Sequence, residues 1–377
     1  MPHRRIAPVF AILFALITSP AQAIDTGAKQ AILIEFATGD ILYNMAADDV
    51  MYPASMTKMM TVYMLFDRLK NGSLSLEDTF RVSERAWRKG GSKMFVRVND
   101  RVKVEDLIRG IIVQSGNDAT IVVAEGLAGS EAAFAEQMTE KARELGMSQT
   151  TFRNASGWPD PEHVTSAHDL AKLALATIRN FPEYYHYYSE LSFKYNKIKQ
   201  SNRNPLLYKN IAADGLKTGH TEASGYGLTA SAIRNGRRLV LVANGYTSVK
   251  ARASGGERLI DWGFREFENY ALFKAGEKVV DAQVWLGQTR TVDGIITDPL
   301  VLTLPRKSRN KMKVAVSYDE PIPAPITAGA RIGSVIITAP GVETVTLPLI
   351  AAQDVKQLGP VGKIGEALRH LVWGGGN

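Results

Sequence analysis

The sequence predicts a mixed α/β (α+β) domain followed by a small all-β domain. Three observations carry that expectation. The chain has 377 residues, 45% of them hydrophobic and 22% charged, which is material for two cores at ~100–200 residues per domain. As far as residue 265, stretches of helical and of strand periodicity alternate. Beyond residue 270 the helical spacing gives way to short apolar runs separated by Gly, Pro and Asp, the pattern of a strand-and-turn domain.

Taken in order, residues 1–23 read as a secretory signal peptide. Arg4 and Arg5 precede an apolar run from Val9 to Ile17, Pro20 breaks it, and Ala21-Gln22-Ala23 offers a small-x-small cleavage site. The run falls short of the ~20 apolar residues that a spanning helix needs. The expectation is export, to the periplasm or the outer face of the cytoplasmic membrane.

Residues 24–265 form the first domain. Met56, Met59, Met60, Met64 and Leu65 recur at helical spacing between Met56 and Leu69. A second helix runs from Glu131 to Leu145, with Gly146 as its stop. Gly227 to Ile233 and Arg237 to Asn244 read as strands, and Asn235-Gly236 between them is a hairpin turn needing positive φ. The Tyr184–Tyr188 cluster reads as loop packing, with a sugar or nucleic-acid platform as the rival.

Residues 270–352 form the β-rich domain, with runs at Val279–Leu286, Leu300–Leu304, Lys313–Ser317, Ser334–Thr338 and Glu343–Leu349. Residues 355–377 read as an amphipathic tail. Val361, Ile364, Leu368, Leu371 and Val372 share one helical face, and Trp373 closes it. Such a helix suits a peripheral membrane contact, or docks on its own domain.

Composition removes whole classes of function. Cysteine is absent, so disulfides, thiolate nucleophiles and Cys-built zinc sites are excluded. The six His show no His-x-x-x-His spacing, so no metal is expected, and no cofactor motif appears. The net charge of +7 comes without a dense basic block or an aromatic RNA-binding motif, which argues against nucleic acid and suits an anionic surface or cell-wall polymer.

Three short motifs carry the chemistry. In Ser55-Met56-Thr57-Lys58 the hydroxyl and the amine lie three residues apart and share a face of a helix beginning at Ser55. A serine hydroxyl needs a neighbour to take its proton, and a lysine of lowered pKa can do so. In Ser115-Gly116-Asn117 a hydroxyl and an amide can relay a proton and bind a substrate amide. In Lys217-Thr218-Gly219-His220, on an edge strand, Lys217 supplies positive charge for a carboxylate and Gly219 permits close approach of a substrate backbone. Each motif alone is weak: Ser308-Arg309-Asn310-Lys311 also fits Ser-x-x-Lys, in a basic loop with no apolar helix after it, and reads as a chance match.

The ordered trio resembles that of penicillin-binding proteins and serine β-lactamases. Most similar are the low-molecular-mass penicillin-binding proteins, the D-alanyl-D-alanine carboxypeptidases of the DacA/DacF kind. The resemblance extends over Pro53–Lys58, Gln114–Ala119, Thr151–Asn154, Asn202–Leu207, Gly215–Thr221 and Asp261–Phe264.

The resemblance implies a transpeptidase-like fold with a central antiparallel sheet, and a substrate that is the peptidoglycan pentapeptide ending in D-Ala-D-Ala. It implies that Ser55 attacks the penultimate carbonyl, that Lys58 takes its proton, and that Ser115 passes one to the departing D-Ala. Asn117 joins the substrate-binding set, the N–H groups of Ser55 and His220 form an oxyanion hole, and Lys217, Thr218, Gly219 and Arg252 complete the carboxylate site. β-Lactams are then covalent inhibitors. A β-lactamase is the alternative, lacking here a Glu-x-x-Leu-Asn between Ser115 and Lys217. A non-catalytic penicillin-binding sensor is the other, although it has no need of Lys58 and Lys217.

Overall fold

The structure is a computed structural model and describes residues 24–365. The leader at 1–23 and the tail from Glu366 onward lie outside the described residues.

The chain opens with β1 (Gln30–Glu35) and β2 (Ile41–Met45), and a 3-10 turn (Ala54–Thr57) runs into α1 (Lys58–Lys70). A mainly helical stretch follows with α2 (Glu84–Arg88), α3 (Val104–Ile112), α4 (Asn117–Ala128), α5 (Glu131–Glu144) and α6 (Ala167–Asn180). Two small hairpins decorate it, β3 (Thr79–Arg81) with β4 (Arg101–Lys103), and β5 (Ser192–Tyr195) with β6 (Ile198–Ser201). The chain then returns through β7 (Ala213–Thr221), β8 (Gly225–Arg234) and β9 (Arg237–Tyr246) to α7 (Val249–Glu266).

The five long strands form one antiparallel sheet in the order β2-β1-β9-β8-β7, leaving β7 at an edge. The sheet is covered on both faces, so the central residues of β8 and β9 are buried without a break, the polar Thr229 and Ser231 of β8 included. Side chains still point alternately up and down. Ile32, Ile34, Val240 and Val242 join the helical core. Ala31, Leu33, Leu239 and Leu241 meet Leu259 and Ile260 of α7.

Helix α1 lies inside that first core. Residues 58–66 are all buried, and the Met stripe is packing material. The helix is thus enclosed on nearly all sides, where the apolar spacing alone suggested one buried face. Its companions have sequence-legible ends: Ser130 and Ser166 accept the N–H groups of Ala133 and Asp169. Gly146 takes φ +74° just past α5. Asn235 and Gly236, at φ +51° and +77°, make the β8–β9 hairpin. The tyrosine cluster turns inward: Tyr185, Tyr187 and Tyr188 are buried, and Tyr184 stacks on Phe66 with centroids 5.3 Å apart. That packing removes the sugar-platform alternative.

From Phe267 the chain is β-rich. β10 (Phe267–Phe273) pairs with β13 (Leu300–Pro305). β11 (Glu277–Trp285), β12 (Thr291–Ile296), β14 (Lys313–Ser317), β15 (Ile322–Pro323), β16 (Arg331–Thr338) and β17 (Val345–Ala351) form a sheet in the order β14-β16-β17-β12-β11-β15. Its two small cores centre on Ala282 with Val292, and on Val335 with Leu349.

The tail begins later than the sequence suggests. Val355 is buried and bridges Ile326, and the Leu358 N–H donates to Leu286 O at 2.8 Å. Residues 355–358 therefore belong to the β-rich unit. Helix begins at Pro360, with Val361 and Ile364 84% and 64% exposed.

The two parts are stitched by Arg237, which donates to buried Glu35 (2.6 Å) and to Phe267 O (2.6 Å), and by a 2.6 Å contact between the hydroxyls of Thr38 and Thr303. Among the described residues no helix is long and apolar enough to cross a membrane.

Candidate active site

Ser55 sits in the 3-10 turn that feeds α1, and Lys58 is the first residue of the α-helix proper. The sequence places the helix start at Ser55; the tighter turn is what the packing imposes. Ala54 is held at φ +46°, and a Cβ on Gly157 would lie 1.8 Å from Ala54 O. Gly157 itself has φ +77°, so this position requires glycine twice over, for conformation and for space. On the other side, a Cβ on Gly219 would lie 2.8 Å from Pro53 O. Gly219 thus lets β7 close onto the serine turn, a different contact from the approach of a substrate backbone.

Lys58 is fully buried. Its Nζ lies 2.9 Å from Ser55 Oγ, 2.8 Å from Asn117 Oδ1 and 2.6 Å from Ser156 O. Burial lowers its pKa to about 7, helped by the positive charges of Arg203 and Lys89. In the neutral amine, Asn117 and Ser156 can take both N–H bonds, which leaves the nitrogen lone pair facing the Ser55 hydroxyl.

Asn117 opens α4, and its other end donates from Nδ2 to Gly90 O at 2.9 Å. Both ends of this amide are engaged within the protein. It holds the lysine, a duty that the sequence did not suggest. Ser115, just before, sits at φ +57°, and its Oγ lies 3.0 Å from Lys217 Nζ. The turn is pinned by Asp118, whose carboxylate accepts the N–H groups of Met94 and Phe95, each at 2.8 Å.

Lys217 lies on edge strand β7 and is buried; burial, then the charges of Lys58, Arg203 and Arg252, push its pKa well below the ordinary lysine range. Thr218 follows it, largely buried. His220 is exposed, its ring stacked on Tyr226 across the β7–β8 pair at 3.9 Å. Arg252 projects from α7. It is buried, its Nη1 is 3.5 Å from Gly219 O, and its Nε has no partner. It is not the solvated surface charge that it would be in isolation.

The structure therefore brings together Ser55, Lys58, Ser115, Asn117, Lys217, Thr218, Gly219, His220 and Arg252. Around them is a cleft of about 260 Å³, with Ser55, Ser115, Arg203, Thr218, His220 and Arg252 in its wall. Sequence reasoning missed Arg203 as a site residue. It lies within the Asn202–Leu207 stretch, and its Nη1 bonds Ser92 Oγ. Its signal was a lone cation in an Asn-rich turn with no acid nearby in sequence. It also missed Ser156, which acts through a backbone carbonyl that no sequence pattern reveals.

Among the described residues, none of Lys58, Arg203, Lys217 and Arg252 has a carboxylate partner. Two guanidinium groups, beside two lysines whose pKa burial lowers, make a receptor for an anion next to one serine. Among the described residues no cluster could hold a metal. Ser308, of the second Ser-x-x-Lys, lies in another turn with its hydroxyl donating to Pro340 O at 2.7 Å.

Comparison with known proteins gives the arrangement a context. Residues 17–247 match a family model described as D-alanyl-D-alanine carboxypeptidase. Residues 267–357 match one described as the C-terminal domain of penicillin-binding protein 5. The chain is similar to D-alanyl-D-alanine carboxypeptidase DacA of Haemophilus influenzae, with 37% identity over 92% of this chain and 90% of that protein. It is similar also to DacC of Escherichia coli, with 36% identity over 92% and 88%. Among solved structures it resembles penicillin binding protein 5 from Haemophilus influenzae (TM-score 0.78, 36% identity, 89% of this chain and 99% of that one). It also resembles the carboxypeptidase DacD from Francisella tularensis (TM-score 0.81, 31% identity, 92% and 97%).

Proposed function

Because the chain belongs to the D-alanyl-D-alanine carboxypeptidase family, we propose that its serine carboxypeptidase chemistry runs through Ser55, with Lys58 as base. The substrate is the peptidoglycan stem peptide, and the product is that peptide shortened by its terminal D-Ala. The observation that carries the reading is the 2.9 Å contact between Ser55 Oγ and a buried Lys58 whose pKa is about 7.

The substrate carboxylate enters the cationic cleft, between Thr218 and Arg252. Ser55 Oγ attacks the penultimate carbonyl as its proton moves to Lys58. The N–H groups of Ser55 and His220 receive the developing oxyanion, where each such donor is worth ~3–4 kcal/mol. Ser115, with Lys217 behind it, delivers its proton to the departing amine and receives in exchange the one that Lys58 took from Ser55, which leaves Lys58 neutral again. Water then attacks the acyl-enzyme, again with Lys58 as base. Asn117 orients Lys58.

One observation weighs against a dedicated β-lactamase. The two carboxylates whose charges reach Lys58 are occupied: Asp118 by backbone N–H groups, Glu131 by Arg85 (2.7 Å) and by the Ala155 N–H (3.3 Å). Neither is free to activate water. The β-lactams are therefore slow-leaving acylating inhibitors. The protein works outside the cytoplasm, with the leader pattern of Arg4, Arg5 and Ala21–Ala23 as support. The tail helix that starts at Pro360 makes a peripheral membrane contact, with the exposed Val361 and Ile364 as support.

The test is mass spectrometry after penicillin treatment, with D-Ala release from diacetyl-Lys-D-Ala-D-Ala measured in parallel. Ser55→Ala is expected to abolish the adduct and the release, and Ser308→Ala to retain both. An adduct that survives Ser55→Ala refutes the assignment.

A further inference from the structure

The β5–β6 hairpin carries a charge pattern that the fold alone does not favour. Phe193 and Tyr195 of β5 pack against the helical core, so alternation along the strand turns Ser192 and Lys194 outward. Ser201 and Lys199 of β6 lie opposite them. Lys194 and Lys199 are direct cross-strand partners and both are exposed, and like charges so placed destabilise a hairpin. The loop between the strands is Asn196-Lys197, at φ +44° and +66°. Asn-Gly is the preferred pair for that left-handed conformation, so Lys197 is strained where a glycine would not be. Lys194, Lys197 and Lys199 thus stand where charge or backbone works against them, and an anion bound among them offsets the repulsion.

No acid of the protein balances them. Between Glu190 and Asp214 the chain has none. Those two are engaged elsewhere, Glu190 with Arg109 at 2.9 Å and Asp214 with Arg238 at 2.7 Å. The charges of Asp100 and Asp106 reach Tyr195, on the side of the strand away from Lys194. Among the described residues none of Lys194, Lys197 and Lys199 has an ion pair. The hairpin is also fastened beside the cleft. Gln114, next to Ser115, donates from Nε2 to Phe193 O at 3.3 Å. Asn196 Nδ2 donates to Phe95 O at 2.8 Å, and Gln200 Nε2 to Lys93 O at 3.0 Å. Ser92, beside Lys93, and Arg203, just past β6, are in the cleft wall.

From these features we infer that the outward face of the β5–β6 hairpin is a docking surface for peptidoglycan as a polymer, its lysines binding carboxylates of stem peptides that neighbour the one in the cleft. The inference rests on the substrate proposed above. When water cleaves the terminal amide, D-Ala leaves with its own carboxylate and the shortened peptide ends in a new one. Turnover therefore does not discharge the polymer, and the enzyme stays on it from one peptide to the next. The strand residues on that face are Ser192, Lys194, Lys199 and Ser201. None is apolar, so nothing there enters a bilayer, which favours a hydrated polyanion over lipid.

Co-sedimentation of the full chain with purified insoluble peptidoglycan tests it. A variant combining Lys194→Gln, Lys197→Gly and Lys199→Gln is expected to need about tenfold more polymer for half-sedimentation at low salt, the difference closing as salt rises. Peptidoglycan with its carboxylates amidated is expected to hold the wild type no better than the variant. D-Ala release from diacetyl-Lys-D-Ala-D-Ala is expected to be the same in both proteins. Lys194→Glu, which turns the cross-strand repulsion into attraction, is expected to raise the melting temperature and weaken the hold on the polymer together. Equal sedimentation of wild type and variants, or undiminished binding to the amidated polymer, overturns the surface. A combined variant that keeps its hold on peptidoglycan and loses sedimentation with phosphatidylglycerol vesicles overturns it in favour of lipid. A wild type that binds the polymer and releases no D-Ala from either substrate overturns the chemistry proposed above rather than the surface, so the two failures are distinguishable.

Discussion

In the mechanism proposed above, Lys58 is where a single proton decides the chemistry. Its pKa of about 7 makes the acylation rate rise with pH through that value, since only the neutral amine can take the Ser55 proton. Stopped-flow acylation across pH 5–9 should show this rise. Lys58→Arg, which cannot shed its proton at these pH values, should lower the rate by at least about a hundredfold. An unaltered profile in the arginine variant would remove Lys58 from the base role.

His163 titrates with the opposite consequence. It is buried, its Nδ1 accepts the Arg153 N–H at 3.0 Å and its Nε2 lies 2.8 Å from Thr57 Oγ1; burial lowers its pKa to about 4. The unfolded chain therefore holds more protons than the folded one between about pH 4 and 6.5, and stability is lost as pH falls through that window. Thermal melts should show it, and His163→Gln should flatten the slope by on the order of 2–3 kcal/mol by pH 4. An equal slope in the variant would mean that other groups carry the acid sensitivity. None of this is readable from the sequence, where His163 follows an acidic turn like any surface residue.

At the scale of elements, the serine turn is clamped between Gly157 and Gly219. Gly157→Ala drives a methyl into Ala54 O, so the turn must shift. Displacement by about 1 Å can cost a hundredfold in rate. Acylation by a penicillin should fall by about that factor while circular dichroism remains near native. A variant acylated at the normal rate would show that the turn tolerates the shift.

The same elements show what the sequence could convey. The Met56–Leu69 spacing, Asn235-Gly236 and Gly146 gave a helix, a hairpin and a stop close to their observed places, because each is a local property of a few residues. The trio of motifs likewise named Ser55, Lys58, Ser115 and Lys217. The pairing of β1 with β9 was not legible: it joins residues some two hundred positions apart, and both strands are buried on two faces, which erases the alternation. Arg203 and Asn117's hold on Lys58 were not legible either, since they depend on which loops meet.

For the whole molecule, the residues proposed to carry the chemistry all lie in the first part, and the β-rich part supplies none of them. Strand β7, which carries Lys217 and Thr218, pairs with β8 of the first part. Removing residues 359–377 should therefore leave hydrolysis of a soluble peptide unchanged and reduce sedimentation with anionic liposomes. The cut must spare Val355 and Leu358, which belong to the β-rich unit. A full chain that never sediments at low salt would end the membrane reading. Lost soluble activity would make the tail part of the fold.

The cleft's charged groups that lack a carboxylate partner among the described residues, Arg203 and Arg252 foremost, also bear on how firmly the empty enzyme holds its shape. Mutual repulsion among them is a debt of the unliganded state, relieved by any small anion that settles there. Mass action then couples occupancy to melting, because an anion bound only by the folded chain raises the melting temperature with its concentration. Sulfate, or the carboxylate of acetyl-D-Ala, should act as a thermal stabiliser of this protein, and Arg252→Met should weaken the response. An enzyme of this kind is most robust while an anion occupies its cleft and most fragile when that anion leaves.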